Sequence, residues 1–460
     1  MNSLKGKTLR ATGFHAPVCG EVDSFADGLI AIDGNGVIEA VHRPGEPDYD
    51  KALRAATEGG ALVDLPDGAI LLPGFVDLHI HAPQYPQLGN ALDVPLEVWL
   101  QSHTFPLEAR YADLAFARRS YTVLVDDLLA SGTTTAVYYG TIHDEANRLL
   151  ADLCIEKGQR AFVGKVAMDN PAECPDYYRD ESVDAALKAT TGLIDHIRSH
   201  PDNEDSLVRP IVTPRFIPSC TDDLLAELGA LAKEHDCHTQ THCSESDWEH
   251  GYVIERHGMS DTESLDRFGL LRAGTVLAHG NFLSASDMEV IEVRQSAVAH
   301  CPLSNIYFSD AVFPLKAALR KGLRVGLGTD ISGGPSASMF DSVRSTVSSA
   351  RQLERGTDPS LGRDERSTQG DVRIDFREAF HLATAGGGAA VGLPVGAFAP
   401  GFQFDAILID PEAASGTIRL WPELYEGDQV LQTILFTASR ANIASVWVGG
   451  QHRSGTSDRQ

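Results

Sequence analysis

Two histidines separated by a single residue end an apolar run near the start of the chain. The run covers residues 71–81 and reads Leu-Leu-Pro-Gly-Phe-Val-Asp-Leu-His-Ile-His, so that it closes on His79 and His81. Alternate side chains of a strand share one face, so both imidazoles should point the same way while Leu78 and Ile80 point the other way. Two neutral imidazoles that converge at a strand end form half of a zinc or iron site.

Other residues that suit metal or proton chemistry follow later apolar runs. These residues are Arg215, His242, Glu245, His279 and Asp330. Catalytic zinc takes about three or four protein ligands and keeps a position for water, and His79, His81, His242 and Asp330 supply such a set. Glu245 is not needed as a ligand and could transfer protons. His279 could hydrogen-bond the bound water or Asp330 and so hold the attacking oxygen in place.

Each of these residues has an ordinary structural explanation when it is taken alone. A single His242 or His279 could be a hydrogen-bonded residue of the core. Asp330 could cap the helix that follows it, and Glu245 could be solvated. The recurrence of such residues at five strand ends favours a catalytic site.

The segments that must position these residues alternate between β-rich runs and helical stretches. Eight runs are predicted as strands, at residues 74–81, 133–139, 160–168, 208–216, 237–244, 274–280, 296–302 and 323–330. Helical stretches such as 107–130, 182–198 and 222–235 lie between them. This alternation predicts a (β/α)8 barrel, in which active sites form at the carboxyl ends of the strands.

Both ends of the chain have the shorter pattern of β-hairpins. Residues 28–32 and 37–41 flank the turn signal Asp33-Gly34-Asn35-Gly36, and residues 401–410 and 444–450 are similar in character. We therefore predict a small β-sandwich built from residues 1–72 and 391–452, beside a barrel of residues 73–390. Residues 453–460 are predicted as a flexible tail, and the polar segment around 354–373 as an exposed loop.

Composition limits the partners and the compartment. The formal charge of −26, from 38 basic and 64 acidic residues, argues against nucleic acid and against anionic membranes. The seven cysteines are scattered without a Cys-x-x-Cys pair, which favours neither a disulfide framework nor a cysteine zinc site. The first 20 residues lack the apolar core of a signal peptide, so a reducing cytoplasm is expected.

Taken together, these motifs resemble those of a known enzyme superfamily. The amidohydrolase superfamily is indicated by residues 73–81, His242, His279, residues 328–330 and residues 396–401. Narrower segments are similar to those of the guanine deaminase family, namely residues 81–87, 99–108, 212–216, 240–245 and 329–334. Cys243 and Leu303 differ from the residues usual at these positions of the family's motifs, but neither difference removes a predicted ligand.

The resemblance implies a cytosolic homodimer that hydrolyses guanine at C2 to xanthine and ammonia. It implies one zinc ion per chain, held by His79, His81, His242 and Asp330. Gln84 and Arg215 would hydrogen-bond the polar edge of the purine, and Phe216 would lie against its ring. His81, His242 and Asp330 would also contact the substrate.

The same resemblance suggests how protons would move. Zinc would lower the pKa of its water, Asp330 would accept the water proton, and Glu245 would protonate the adjacent ring nitrogen before delivering a proton to the departing amine. Relatives with two metals bridge them with a modified lysine at the end of strand four. Here strand four ends in Arg215 and Lys165 falls on strand three, so a single metal is expected.

Two alternatives remain open from the sequence. One is a deaminase of another heterocycle, such as 8-oxoguanine, cytosine or a triazine, that shares the metal site. The other is an inactive barrel that serves as a scaffold, which is less favoured because no predicted ligand is missing. His103, His143 and His300 receive no role from the sequence.

Overall fold

The strands of the protein form two separate sheets. The computed structural model describes residues 3–367 and 370–455. The strands are, in chain order, β1 (Thr8–His15), β2 (Asp23–Ile32), β3 (Ile38–His42), β4 (Leu62–Asp64), β5 (Ile70–Pro73), β6 (Phe75–His81), β7 (Thr133–Tyr139), β8 (Arg160–Gly164), β9 (Val166–Ala167), β10 (Val208–Pro214), β11 (His238–Cys243), β12 (Thr275–His279), β13 (Ala297–His300), β14 (Arg324–Leu327), β15 (Ala406–Ile409), β16 (Ile443–Val448) and β17 (Gln451–Gly455).

The larger sheet is a parallel barrel. Its order is β6, β7, β8, β10, β11, β12, β13 and β14, and the short β9 pairs with β10 beyond the end of β8. Backbone hydrogen bonds from Asp330 to His79 (2.9 Å) and from His81 to Ile331 (2.8 Å) join the segment after β14 to β6. The first and last predicted strands therefore meet, and the barrel that the sequence predicts is confirmed.

Helices alternate with the strands and cover the barrel. They are α1 (Tyr49–Glu58), α2 (Leu96–Trp99), α3 (Phe105–Glu108), α4 (Leu114–Ala130), α5 (Asp144–Lys157), α6 (Val183–Ser199), α7 (Asp222–Glu234), α8 (Asp247–His257), α9 (Asp261–Arg267), α10 (Ala285–Val293), α11 (Pro302–Ser304), α12 (Leu315–Arg320), α13 (Met339–Arg355), α14 (Arg363–Arg366), α15 (Phe376–Ala383), α16 (Ala385–Ala390) and α17 (Asp428–Thr437). Several begin at side-chain caps that the sequence supplies, such as Thr221 before α7 and Ser260 before α9. Across the described residues, no helix combines the length and apolar character needed to cross a membrane.

The smaller sheet is built from both ends of the chain. Its order is β17, β16, β15, β5, β1, β2 and β3, with β4 beside β1. The antiparallel pairing of β5 with β15 joins the two ends directly. Residues 453–455 of the predicted tail belong to β17 instead, because they continue its pairing with β16, whereas residues 456–460 lie outside the described residues.

The predicted loop around residues 354–373 differs in one detail. It contains the short helix α14, which begins at Gly362 with a capping interaction from Glu365. Residues 354–367 on either side of this helix are mostly exposed, as the charged composition predicts.

The pairing of β6 with β7 is irregular at two places, and one of them affects the predicted alternation of its side chains. His79 and His81 share a face, with ring centroids 4.9 Å apart. Leu78 and Ile80 belong to different parts of the core: Leu78 is in the same cluster as Val76, and Ile80 is in the cluster that contains residues of α4. The pairing of β6 with β7 shifts register between Asp77 and Ile80, and such a bulge re-aims side chains locally.

Candidate active site

The carboxyl end of β6 places two imidazoles in the centre of the barrel mouth. His79 is 1 % exposed and His81 4 % exposed. Both rings pack against the buried ring of Tyr139, with centroid separations of 4.7 Å. Burial lowers the pKa of His81 well below its usual value, and the neighbouring His79 adds to this effect. His81 is therefore neutral and its ring nitrogens can act as ligands.

His242, at the end of β11, faces His81 across the site. Its Nε2 atom lies 3.0 Å from His81 Nε2. The other ring nitrogen, Nδ1, donates a hydrogen bond to the backbone oxygen of Arg215 at 2.5 Å, which leaves the Nε2 of a neutral ring with a lone pair. Burial lowers the pKa of His242 well below its usual value, so the neutral ring is the form present.

Asp330 follows β14 and brings a carboxylate to the same point. Its Oδ1 lies 3.2 Å from His79 Nε2 and 3.6 Å from His81 Nε2. Burial opposes the charged form of Asp330, but the nearby His79 outweighs it and holds the pKa well below its usual value. The preceding Thr329 is fixed by Asp77, which accepts hydrogen bonds from its backbone nitrogen (3.0 Å) and from its hydroxyl (2.5 Å).

His279, at the end of β12, lies just beyond direct contact with the two carboxyl groups. Its Nε2 is 3.9 Å from Asp330 Oδ2 and 3.7 Å from Glu245 Oε1, so neither pair forms a direct hydrogen bond. Asn305 accepts a hydrogen bond from Nδ1 at 2.9 Å, which directs the Nε2 lone pair toward the site. His279 and Asp330 both have positive φ angles, 73° and 51°, an uncommon backbone form that is found at functional sites.

Glu245 lies in the turn after β11, and its backbone is held from two sides. Its N–H donates to a carboxylate oxygen of Glu249 at 2.7 Å, and its carbonyl accepts from the amide of Asn281 at 2.8 Å. Burial raises the pKa of the Glu245 carboxyl to about 8, and the negative charge of Asp330 contributes. Glu245 and Asp330 thus have pKa values displaced in opposite directions, an arrangement typical of an acid and base pair.

These donors fit a bound divalent cation. Ligand atoms of His79, His81 and Asp330 lie within 4.8 Å of one another, as do those of His79, His242 and His279 and those of Glu245, His279 and Asp330. The proton of His242 is on Nδ1, so its Nε2 offers a lone pair toward His81 Nε2 at 3.0 Å, and a neutral His81 ring protonated at Nδ1 would offer a second lone pair to the same point. Imidazoles and one carboxylate are donors that zinc prefers, and the ring of His242 is oriented by its hydrogen bond to Arg215.

Lys165, the lysine nearest to this site in the sequence analysis, has a different partner. It follows β8 and its fully buried ammonium contacts both carboxylate oxygens of Asp180. Asp180 also accepts the backbone N–H of Met168 at 2.9 Å, so the pair fixes the loop after β9. Lys165 is thus engaged in an ion pair that stabilises this loop.

A cavity opens directly above these residues. Its lining combines polar residues of the site with apolar side chains: His81, Gln84, Leu96, Trp99, Leu100, Arg215, Phe216, His242, Glu245, Phe308, Asp330 and Gly333. The structure therefore brings together the six residues predicted to contact the substrate, namely His81, Gln84, Arg215, Phe216, His242 and Asp330. The sequence did not predict the apolar wall from Leu96, Leu100 and Phe308, because these residues lie in helical segments of only four or five residues, too short to show a hydrophobic period.

Glu108 is the residue of this region that the sequence analysis missed. It is fully buried at the end of α3. Its carboxylate accepts hydrogen bonds from Gln84 Nε2 (2.8 Å) and from two nitrogens of Arg215 (2.6 and 3.2 Å). Residues 99–108 are similar to a segment of the guanine deaminase family. The charged Glu108 at the end of this segment is the sequence signal that could have identified it.

The three histidines without a predicted role lie away from the cavity lining. His103 is in the helical turn Leu100–Thr104, and His143 immediately precedes α5. His300, at the end of β13, packs against Phe313, and burial lowers its pKa to about 3. The cavity that contains the predicted ligands includes none of these three among its described lining residues.

Comparison with known proteins places this site in a family. Residues 70–452 match the model of the amidohydrolase family. The chain belongs to the amidohydrolase family. Two curated relatives of this amidohydrolase are the probable guanine deaminase of Schizosaccharomyces pombe, 37 % identical over 96 % of this chain and 82 % of the relative, and the guanine deaminase of Homo sapiens, 36 % identical over 96 % and 95 %.

A solved structure is also similar to this amidohydrolase over nearly the whole fold. It is the guanine deaminase of C. acetobutylicum with guanine bound in its active site. The TM-score is 0.85 at 29 % identity, and the match covers 97 % of this chain and 99 % of that chain. Because both curated relatives exceed 30 % identity over 96 % of this chain, the kinship extends to the guanine deaminase group within the amidohydrolases. Amidohydrolases are typically metal-dependent, in agreement with the donor set described above.

Proposed function

We propose that this protein is a zinc-dependent guanine deaminase that converts guanine and water to xanthine and ammonia. The observation that carries the proposal is the convergence of His79, His81, His242 and Asp330 beneath a cavity that Gln84, Arg215 and Phe216 also line. Kinship with the guanine deaminases of two eukaryotes, and with a bacterial one that has guanine in its active site, supports the choice of substrate.

One zinc ion per chain is part of the proposal, with His79, His81, His242 and Asp330 as its ligands. The neutral imidazoles of His81 and His242 and the low-pKa carboxylate of Asp330 supply the charge and donor types that zinc requires. When bound, zinc supplies Lewis-acid chemistry to water and lowers its pKa toward neutrality. Lys165 is engaged by Asp180, which supports a count of one metal.

The two carboxyl groups divide the proton transfers between them. Glu245, with a pKa of about 8, holds a proton at neutral pH and donates it to the ring nitrogen next to C2. Asp330 is ionised and accepts a proton from the attacking water. A C2–O bond forms, and the proton given to the ring nitrogen stays in the product. The ionised Glu245 takes the proton of the new C2 hydroxyl and passes it to the amine, the C2–N bond breaks and ammonia leaves. The proton held by Asp330 then returns to Glu245, which restores both carboxyl groups.

The remaining polar residues orient the purine. Arg215 and Gln84 hydrogen-bond its polar edge, and the ring of Phe216, 6.0 Å from that of His242, packs against its face. His279 completes the arrangement, because its Nε2 lies less than 4 Å from both Glu245 and Asp330 and can hold the attacking oxygen between them.

Assembly and location complete the proposal. We infer a homodimer in the cytoplasm from the resemblance of the sequence to the guanine deaminase family. Light scattering coupled to size-exclusion chromatography should then give a mass of about twice the 49.5 kDa of one chain. Microscopy of a tagged full-length chain should show diffuse cytoplasmic signal.

The decisive experiment is a steady-state assay on protein of known zinc content. Ammonia release is measured with guanine, and in parallel with 8-oxoguanine, cytosine and adenine. The proposal requires guanine to be the preferred substrate and xanthine to be its product. Turnover of another heterocycle with no turnover of guanine would place the enzyme elsewhere among the deaminases, and no turnover of any of them by zinc-loaded protein would favour an inactive barrel.

A further inference from the structure

We propose that Glu108 is a positioning residue that makes the cavity select purines with an oxo group over purines with an amino group at the same place. This inference rests on the proposed function and identifies what sets its substrate class. Glu108 is fully buried and is not among the described residues that line the cavity, so it acts through others. Its carboxylate contacts Gln84 and Arg215, the two side chains that are placed to read the polar edge of the substrate.

The first effect of Glu108 is to fix which way the amide of Gln84 faces. A carboxylate only accepts hydrogen bonds, so the amide nitrogen of Gln84 must face Glu108, at 2.8 Å. On the other side, the backbone N–H of Ser332 donates to Gln84 Oε1 at 3.1 Å. Because both neighbours demand the same orientation, Gln84 cannot flip. Its oxygen is engaged by Ser332, and its second N–H remains available to a ligand.

The second effect concerns Arg215. Two of its nitrogens donate to the two oxygens of Glu108, at 2.6 and 3.2 Å, which fixes the plane of the guanidinium. The guanidinium also lies over the ring of Phe105, 5.0 Å from its centroid. A guanidinium does not lose its proton in proteins, and the buried carboxylate of Glu108 balances its charge at 2.6 Å. Arg215 therefore remains a charged donor with N–H groups to spare, and it offers no acceptor.

Gln84 and Arg215 together present N–H groups to the ligand edge that they meet. An exocyclic oxygen or a ring nitrogen lone pair matches such an edge. An exocyclic amino group there would set donors against donors and leave buried polar groups unpaired, and sites built around hydrogen bonds reject such ligands strongly. Glu108 thus sets the preference without touching the ligand.

Two purines that differ at this group provide the test. Hypoxanthine has an oxo group at C6 and adenine has an amino group there, and neither has the C2 amino group that would be removed from guanine. Their inhibition constants against guanine turnover are measured for the wild type and for Glu108→Gln. A glutamine offers one acceptor oxygen, so it cannot serve Gln84 and both Arg215 nitrogens.

We expect Glu108→Gln to raise the inhibition constant of hypoxanthine and the KM for guanine by roughly 10- to 100-fold. The inhibition constant of adenine should change by less than about threefold, so the ratio of the adenine constant to the hypoxanthine constant should decrease. The kcat for guanine should also change by less than about threefold, because Glu245 and Asp330 are untouched. Glu108→Asp keeps the charge and both acceptor oxygens, and it should restore part of the ratio.

Several controls separate this role from a merely structural one. Glu97→Gln, at an exposed position of α2, should leave KM and the ratio of the two inhibition constants unchanged. Zinc content and melting temperature show whether each variant is folded. If only Glu108→Asp folds, the ratio of its adenine inhibition constant to its hypoxanthine inhibition constant must still be lower than in the wild type. Equal shifts for hypoxanthine and adenine, or no shift for either, would overturn the inference. A wild type that fails to deaminate guanine would instead overturn the proposed function.

Discussion

His81 Nε2 and His242 Nε2 lie 3.0 Å apart, although 161 residues separate them in the chain. The His242 ring donates its one proton to the backbone of Arg215, and burial keeps both rings uncharged. The Nε2 atom of His242 therefore offers a lone pair toward His81, whose own proton can occupy either ring nitrogen. When that proton is on Nδ1, both Nε2 atoms have lone pairs directed at one point, which is the state that can bind a cation.

Removing one imidazole should therefore remove the metal. His242→Ala is expected to lower the zinc content well below that of the wild type, measured by elemental analysis of dialysed protein. His103→Asn, which changes a histidine outside the cavity lining, serves as the matched control and should keep the metal. Metal bound only to the folded state at 100 times its Kd adds about 2.7 kcal/mol of stability, so chelation should also lower the melting temperature of the wild type. Equal zinc in His242→Ala and in the wild type would contradict the ligand assignment.

Replacing Glu245 should stop turnover without disturbing the metal. Glu245→Gln keeps the size of the side chain but cannot exchange a proton, so kcat for guanine should fall by about 10²- to 10⁴-fold while zinc content is unchanged. Glu255→Gln, an exposed position on α8, is the control and should remain fully active. The measurement is ammonia release from zinc-quantified protein, and a kcat within twofold of the wild type would exclude Glu245 as the proton carrier.

Glu249 should matter through its shape rather than its charge. Burial raises the pKa of Glu249 well above its usual value, and the charge of Asp261 adds to this, so the surroundings favour the uncharged form of the carboxyl that accepts the Glu245 N–H. Glu249→Gln is nearly isosteric and retains an accepting oxygen, so kcat and melting temperature should change little. Glu249→Ala leaves the Glu245 N–H unpaired and should cost about 1–3 kcal/mol of stability and lower kcat. Equal damage from both variants would mean that a negative charge is required at this position.

The pair of His250 and Asp261 should make stability depend on pH. Their 2.7 Å hydrogen bond raises the pKa of His250 above its value in the unfolded chain. Such a group adds stability below its unfolded pKa and loses this contribution as the pH rises through its folded pKa. The free energy of unfolding of the wild type minus that of His250→Gln should thus be larger near pH 6 than near pH 8, by at most about 1 kcal/mol. Denaturant titrations at the two pH values measure this difference.

His238, whose pKa shifts in the opposite direction, supplies the control for this prediction. Burial lowers the pKa of His238, so its stabilising contribution is lost as the pH falls rather than as it rises. The difference between the wild type and His238→Gln should therefore not shrink toward alkaline pH. A His250→Gln difference that grows as the pH rises would contradict the assigned sign.

The sequence by itself determined the order of the barrel strands and the residues that end them. Apolar runs alternate with helical stretches at a spacing that few folds can accommodate, and parallel strands bring their carboxyl ends to one rim. For this reason the sequence alone predicts that His79, His242 and Asp330 lie together. The resemblance of short motifs to the guanine deaminase family added Gln84, Arg215 and Phe216.

Only the tertiary structure decided how these residues are held. Glu108 lies 107 residues from Arg215 in the chain, and nothing in local periodicity connects a carboxylate on α3 with a guanidinium after β10. The tautomer of His242, the displaced pKa values of Glu245 and Asp330, and the irregularity in β6 all depend on burial and on partners from distant segments. Burial and long-range hydrogen bonds arise from packing, and packing is a property of the whole chain rather than of any stretch of its sequence.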